Sequence, residues 1–151
     1  MNVLIVLVND YDIKSQQSNI QYAIAYAAKF SCTRHRIDWF LSGASRSGSL
    51  ISEAQLMSET ISTISESCVG INKHHWHYVH DNRSTNIKDN FDRLNDWLEF
   101  NKSYTEIQIV TSNSLAETMA QSIIPGNKFQ WIYSDLNIRE PEKRLRVETA
   151  F

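Results

Sequence analysis

The chain has few cysteines and no hydrophobic run long enough to cross a membrane. It contains 2 cysteines in 151 residues, Cys32 and Cys68, and neither lies in a CxxC or a Cys/His metal-binding pattern. We therefore expect two free, buried thiols in a reducing compartment. The apolar run near the start, Val3 to Val8, is too short to span a bilayer and lacks the basic flank of a signal peptide. These absences favour a cytoplasmic protein.

A basic excess is also absent. The chain carries 15 Lys and Arg against 17 Asp and Glu, for a formal net charge of −2. Proteins that bind nucleic acids or membrane surfaces usually carry a basic excess, so the sequence predicts neither partner. Only residues 136–151 are locally basic, and glutamates accompany the basic residues there. We interpret this segment as a solvated, charged C-terminal tail, with Arg139, Lys143, Arg144 and Arg146.

Strand patterns alternate with helix patterns along the rest of the chain. A hydrophobic content of 42% in 151 residues is enough for one domain with its own core. The order predicts a Rossmann-like three-layer α/β/α sandwich over residues 1–135, with a mainly parallel sheet of about five strands. The predicted strands are residues 3–8, 37–41, 76–80, 107–111 and 129–133.

Polar residues mark the predicted helix starts. Three helices are expected to begin at a serine followed three residues later by Gln or Glu, a capping box that satisfies free backbone N–H groups. These serines are Ser18, Ser52 and Ser114. The remaining helix is expected to begin at Ser84 or Asn86, since both residue types are common N-caps.

The carboxyl ends of the predicted strands carry small or polar residues. In an open parallel sheet, ligands bind outside these ends, so the sequence predicts a ligand site at this edge of the sheet. The residues concerned are Asn9, Asp10, Ser42, Gly43, Asp81, Ser112, Asn113, Ser134 and Asp135.

A turn of small residues follows the second predicted strand. Small side chains let backbone N–H groups approach a phosphate or carboxylate, and a helix N-terminus adds attraction. An ordinary strand-to-helix loop is the alternative, since neither GxGxxG nor GxxxxGK[ST] occurs. The residues of this candidate anion cradle are Ser42, Gly43, Ser45, Ser47 and Gly48.

Glu53 and Asp81 are the candidate acid or base groups. Glu53 falls in the first turn of the second helix, where the helix dipole favours a carboxylate whether or not it has a function. Asp81 ends the third strand, where its carboxylate could hold a ribose hydroxyl, a metal or a nucleophilic water.

Ser84, Asn86 and Asn90 complete the second candidate cluster. Ser84 or Asn86 could simply cap the third helix. Asn86 and Asn90 are four residues apart, so both are expected on one helix face. An amide pair can donate and accept hydrogen bonds at once, which suits a sugar, nucleotide or peptide ligand.

Metal and nucleophile hypotheses are weaker. Asp10 and Asp12 could hold Mg²⁺, but a solvated loop is favoured. The histidines of residues 74–80 lack a third ligand at convincing spacing, so a partly exposed strand edge is favoured over a zinc site. Ser112 lies in TSNS rather than in G-x-S-x-G, and no histidine follows it. The sequence therefore predicts no metal site and identifies no nucleophile or cofactor.

Three blocks resemble, in order and spacing, motifs of the DUF218 family, which includes the SanA, ElyC and YdcF types. They are FLSGAS with SEAQLM, DNRSTNIKDN, and IVTSN, and the resemblance covers residues 3–135. It implies a Rossmann-like fold with a pocket. The family is linked to bacterial envelope biogenesis, and one member type is associated with S-adenosylmethionine binding.

The chain departs from the family pattern at several positions. Asn9 and Asp10 replace glycines, Ile87 replaces a threonine, and Leu115 and Thr118 stand where the family has His and Arg. Two functions stay open. The first is a DUF218-like protein that binds a small anionic or nucleotide-containing ligand, with group transfer or hydrolysis as the reaction. The alternative is a catalytically inactive ligand-binding or protein-interaction module. The oligomeric state is open, with a homodimer among the options.

Overall fold

In a computed structural model the described residues are 2–8, 13–30, 35–46, 48–68, 70–71, 73–111, 114–123 and 129–132. They form strands and helices in strict alternation, which confirms the predicted fold class. The elements are β1 (Asn2–Val8), α1 (Ile13–Ala28), β2 (Arg36–Ser42), α2 (Glu53–Glu66), β3 (Trp76–Asp81), α3 (Ile87–Phe100), β4 (Tyr104–Val110), α4 (Ser114–Ile123) and β5 (Phe129–Ile132).

The five strands form one parallel sheet in the order β3-β2-β1-β4-β5. The chain winds outward from β1 to β3 and then returns to place β4 on the other side of β1. The carboxyl ends of β1 and β4 are therefore neighbours at the point where the winding reverses, the usual ligand crevice of such sheets. Asp10 and Ser112, predicted to bind ligand there, lie outside the described residues, as does the 136–151 tail.

Helices cover both faces of the sheet because alternate side chains of each strand point to opposite faces. The side chains of Val3, Ile5 and Leu7 pack with those of α1 and α2. The side chains of Leu4 and Val6 pack on the opposite face with those of α3 and α4. Since β1 is buried on both faces, it reads in the sequence as a continuous apolar run.

The predicted helix starts have mixed outcomes. Ser52 caps α2, accepting a hydrogen bond from the Gln55 N–H, and Asn86 caps α3 in the same way through Asp89. The predicted start at Ser18 is wrong, because α1 begins at Ile13. The inner face of its first turns is polar, with Gln16 and Asn19 buried, so an apolar period begins only at Ile20.

The described part of the chain contains neither a membrane-spanning helix nor a buried Cys68. No helix in the described part of the chain is long and apolar enough to cross a membrane. Cys68 was expected to be buried, but it is free and exposed just after α2. Its place on the predicted apolar stripe lies beyond the end of the helix, which explains the error. Cys32 lies outside the described residues.

Candidate functional site

A polar network joins the carboxyl ends of β2 and β3 to α3. Ser42 Oγ, at the end of β2, lies 2.5 Å from Asp81 Oδ2 and 2.8 Å from Asn90 Oδ1. Ser84 Oγ also donates a hydrogen bond to Asp81 Oδ2. The structure thus brings Ser42 to three other predicted site residues that lie 39 or more residues later in the sequence, Asp81, Ser84 and Asn90.

The direction of the hydrogen bonds in this network follows from counting protons. Ser42 has one hydroxyl hydrogen and cannot donate to both neighbours. Asp81 Oδ2 and Asn90 Oδ1 are both acceptors, so the Ser42 hydroxyl donates to one of them at a time. Ser42 and Asn90 are both fully buried, at 0% exposure. Their role is therefore to orient Asp81, not to contact a ligand directly.

Asp81 is held by neutral donors. Its Oδ2 accepts from the two serine hydroxyls, and its Oδ1 accepts from the Arg83 backbone N–H at 3.1 Å. A carboxylate offers about four lone-pair positions, so the described residues leave one position on Oδ1 open for a further donor. Asp81 is only partly buried, which leaves that position within reach of a ligand or a partner.

A cleft of about 490 Å³ lies beside Asp81, between the edge strand β3 and α3. From the strands it is lined by Phe40, His80 and Asp81, and from α3 by one helix face that carries both charged and aromatic residues. The residues of that face are Arg93, Asp96, Trp97 and Phe100.

Two arginines line the cleft together with two aspartates, Asp81 and Asp96. Arg83 and Arg93 line this cleft and also a smaller polar cleft of about 240 Å³ next to it. Neither guanidinium forms an ion pair within the described part of the chain. An exposed guanidinium pair can hold a phosphate or carboxylate bidentately. Phe100, 86% exposed, and the half-buried Trp97 supply aromatic surface at the same cleft.

The loop predicted as an anion cradle is closed by its own hydrogen bonds. The N–H groups of Gly43 and Ala44 donate to the carbonyls of Asp81 and Ser84. Those of Glu53 and Ala54 donate back to the carbonyls of Ala44 and Gly43. These N–H groups are therefore engaged and cannot bind an anion.

Ser45 lies in the same loop and is exposed. It is held in an isolated antiparallel bridge to Ser52. Gly43 and Ser45 thus close the turn into α2, which favours a structural loop for this part of the predicted cradle; Ser47 lies outside the described residues.

Glu53 lies apart from Asp81. Its carboxylate pairs with Arg46 at 2.5 Å and lines a different cleft, of about 360 Å³, between α1 and α2. That cleft shares no lining residue with the cleft beside Asp81. The two predicted acid or base groups therefore do not face one cavity. Asn86 is exposed, and its side chain caps α3.

Sequence reasoning missed Arg83 and Arg93. Arg83 is two residues past the strand end, so its position at the carboxyl edge was available as a signal. Arg93, Asp96, Trp97 and Phe100 follow the spacing i, i+3, i+4 and i+7, which places them on one helix face. This helix face carries charged groups and aromatic rings together. It therefore differs both from the apolar stripe of a core-facing helix and from a purely charged surface.

A second buried carboxylate lies toward the amino ends of the strands. Asp38 of β2, 3% exposed, accepts hydrogen bonds from Arg36 Nε at 2.9 Å and from the Tyr104 hydroxyl at 2.5 Å. Trp97 Nε1 donates to the same Tyr104 hydroxyl at 3.0 Å. Burial, together with the hydrogen bond to Asp38, raises the pKa of Tyr104 above the usual phenol range, and Asp38 raises the pKa of Arg36. The Trp97 ring at the cleft is therefore anchored by this network.

The described residues contain no group of three or more His, Cys, Asp or Glu side chains arranged to hold a metal ion. In comparisons with known proteins, no family model, curated protein or solved structure matches the chain. The resemblance to the DUF218 family therefore stays a prediction from motif order.

Proposed function

We propose that the protein binds a small anionic ligand with an aromatic ring, of the nucleotide class, in the cleft between β3 and α3. The observation that carries the proposal is the pairing of two guanidinium groups without ion partners among the described residues with exposed aromatic surface. Arg83 and Arg93 would hold the phosphate. Trp97 and Phe100 would stack on the base.

Carboxylates at the cleft suit the sugar. The open lone-pair position on Asp81 Oδ1 would accept a ribose hydroxyl, and Asp96 offers a second acceptor at the same cleft. The serine hydroxyls and Asn90 behind Asp81 fix the orientation of its carboxylate. Such support lowers the entropy lost when the ligand binds.

We favour a binding module over an enzyme. Asp81 already accepts three internal hydrogen bonds, and Glu53 is paired with Arg46 in another cleft. Glu53 therefore lies outside the proposed site, and Asp81 is arranged there to accept a ligand hydroxyl. Membership of the DUF218 family is part of this proposal. It is supported by the FLSGAS and DNRSTNIKDN blocks, which both contribute residues to the network around Asp81.

A cytoplasmic location belongs to the same proposal, since an exposed free thiol at Cys68 is stable in a reducing compartment. Association as a homodimer is also proposed, and β3 offers a surface for it.

A thermal-shift screen followed by calorimetry tests the binding proposal. The set is adenosine monophosphate, other nucleotides, nucleotide sugars, S-adenosylmethionine, inorganic phosphate and Mg²⁺. A nucleotide at roughly 100 times its dissociation constant should add about 2.7 kcal/mol to stability. Adenosine and phosphate alone should bind more weakly than the nucleotide, because each reaches only one half of the cleft.

The matched variants are Arg93→Ala and Lys29→Ala. Arg93→Ala should weaken nucleotide binding at least about tenfold, since it removes a charge-assisted hydrogen bond. Lys29→Ala removes an exposed cation from the end of α1 and should leave the affinity within about twofold. No thermal shift from any nucleotide, or equal losses in both variants, would refute the proposal. Turnover that is lost in Asp81→Asn would refute the binding-module part alone.

A further inference from the structure

The edge strand β3 has an unusual sequence for an open sheet edge. It reads WHYVHD over Trp76–Asp81, and among the described residues it pairs only with β2. Open edges of monomeric proteins are commonly blocked by lysine, proline or a bulge. This strand contains no lysine, proline or glycine and pairs with β2 without a register shift.

The backbone direction along β3 can be read from its bonds to β2. The carbonyls of His75 and Asp81 accept from the N–H groups of Ile37 and Gly43, at 3.0 and 2.8 Å. Backbone groups alternate in direction along a strand, so the odd-numbered residues face β2. Tyr78 and His80 therefore turn their N–H and C=O groups toward the open edge.

We propose that β3 pairs antiparallel with β3 of a second copy of this chain, with the two-fold axis at Val79. In this register Tyr78 lies opposite His80 of the second copy, and His80 lies opposite its Tyr78. All four residues turn their backbone groups to the shared edge, so two hydrogen-bonded pairs form. The two five-stranded sheets become one continuous sheet.

The side chains support this register. His77 lies opposite Asp81 of the second copy, on the same sheet face as Val79, and the two-fold axis repeats the pair. These positions are non-hydrogen-bonded pairs, in which opposite side chains approach most closely. His77 is exposed, and an imidazole opposite a carboxylate is a favourable cross-strand pair. A register centred on Tyr78 instead places His77 opposite Val79.

The proposed β3 pairing would bring a residue of the second copy to the cleft beside Asp81. Asp81 lines that cleft, so His77 of the second copy would stand at its outer border. The dimer proposal does not rest on ligand binding, and either can fail without the other.

Sedimentation equilibrium of the full chain and of two variants tests the surface. The wild type should be a dimer. His77→Asp should raise the dimer dissociation constant at least about tenfold, because two attractive cross-strand pairs become repulsive. Thr118→Asp adds the same charge on the exposed face of α4 and should leave the constant within about twofold. A monomeric wild type, or a dimer equally sensitive to both variants, would overturn the proposal.

Disulfide trapping tests the register. In a background with Cys32→Ser and Cys68→Ser, Val79→Cys should form an intermolecular disulfide under mild oxidation. The two Cα atoms would face each other across the axis at about 4.5 Å, and a disulfide needs a Cα separation of about 4.4–6.8 Å. His77→Cys should not, since its two copies are about 13 Å apart along the strands. Equal trapping at both positions, or none at Val79→Cys in a dimeric protein, would overturn the register.

Discussion

Asp38 and Asp81 are held in two different ways on the same face of the sheet. Asp38 is buried and is held by a guanidinium and a phenol, in a network that ties β2, β4 and α3 together. Asp81 is partly buried and is held by two serine hydroxyls and one backbone N–H, which leaves one lone-pair position open. A closed network around a buried charge serves the fold, whereas an open one at the carboxyl edge can also serve a ligand.

The two regions are connected through α3. Asn90 in its first turn supports Asp81, and Trp97, two turns later, donates to the Tyr104 hydroxyl while its ring lines the cleft. The Asp38 network therefore fixes the aromatic wall of the site that Asp81 borders. Substitutions in the Asp38 network should therefore change mainly stability, and substitutions at the cleft should change mainly ligand binding.

The largest expected effect is at Asp38. Asp38→Ala should cost about 2–3 kcal/mol in the free energy of unfolding, because it leaves the buried Tyr104 hydroxyl without its acceptor and removes the partner of the half-exposed Arg36 guanidinium. Urea unfolding measures this. Asp92→Ala, which removes the partner of an exposed Lys88 pair, should cost below about 0.5 kcal/mol. Similar losses in the two variants would contradict a structural role for Asp38.

Asp81→Ala should cost less, about 1–2 kcal/mol, since the donors to its carboxylate are neutral hydroxyl and N–H groups. Asp81→Asn should recover part of the loss, because the Ser42 and Ser84 hydroxyls can rotate to accept from the amide. The same unfolding measurement applies. A loss as large as that of Asp38→Ala would contradict the difference between the Asp38 and Asp81 networks.

Alkaline pH should weaken the fold through its buried tyrosines. Burial, with hydrogen bonds to Asp38 and Glu106, raises the pKa of Tyr104 and of Tyr26 above the usual value near 10. The folded state then keeps protons that the unfolded state loses, so stability is complete below about pH 10 and falls as the pH rises above it. Each group contributes a slope of about 1.4 kcal/mol per pH unit.

Unfolding curves between pH 9 and 11 measure this slope. Tyr104→Phe should flatten it. A slope that stays the same in Tyr104→Phe would show that this phenol is not protected by the Asp38 network.

The smallest expected effect is at the α3 cap. Asn86→Ala should cost about 1 kcal/mol, because the Asp89 N–H loses its acceptor, and Asn86→Ser should restore most of it. Calorimetry should find nucleotide affinity within about twofold of the wild type in both variants. A large loss of affinity in Asn86→Ala with full recovery of stability in Asn86→Ser would assign Asn86 to the ligand site instead.

The fold could be predicted from the sequence because its signals are local. Val3–Val8 is a continuous apolar run, and Ser52 precedes an apolar stripe at the spacing of a capping box. The start of α1 was missed because Gln16 and Asn19 take buried positions where an apolar pattern would mark a helix. Asp38, a charge within the apolar run IDWFL, was the available signal of a buried network, but its partner Tyr104 is 66 residues away.

The candidate site could be predicted only in part. Asp81 and Ser84 follow from the rule that ligands bind at strand ends, and the structure brings them to Ser42 and Asn90. Sequence spacing cannot tell whether a loop N–H is free, so it could not decide between an anion cradle and an ordinary loop at Gly43. Sequence spacing also cannot tell which helices border a cavity at the strand ends. It therefore could not decide whether Glu53 or Arg93 lines the candidate site.

An amide and indole NMR titration of the full chain with adenosine monophosphate tests directly whether the ligand binds in the cleft beside Asp81. If the cleft beside Asp81 is the ligand site, the largest shift changes should be at Arg83, Asp96 and the Trp97 indole N–H. Changes centred on Arg46, Glu53 and Thr60 would move the site to the cleft between α1 and α2. Changes at neither cleft, with saturable binding, would contradict the account of the site.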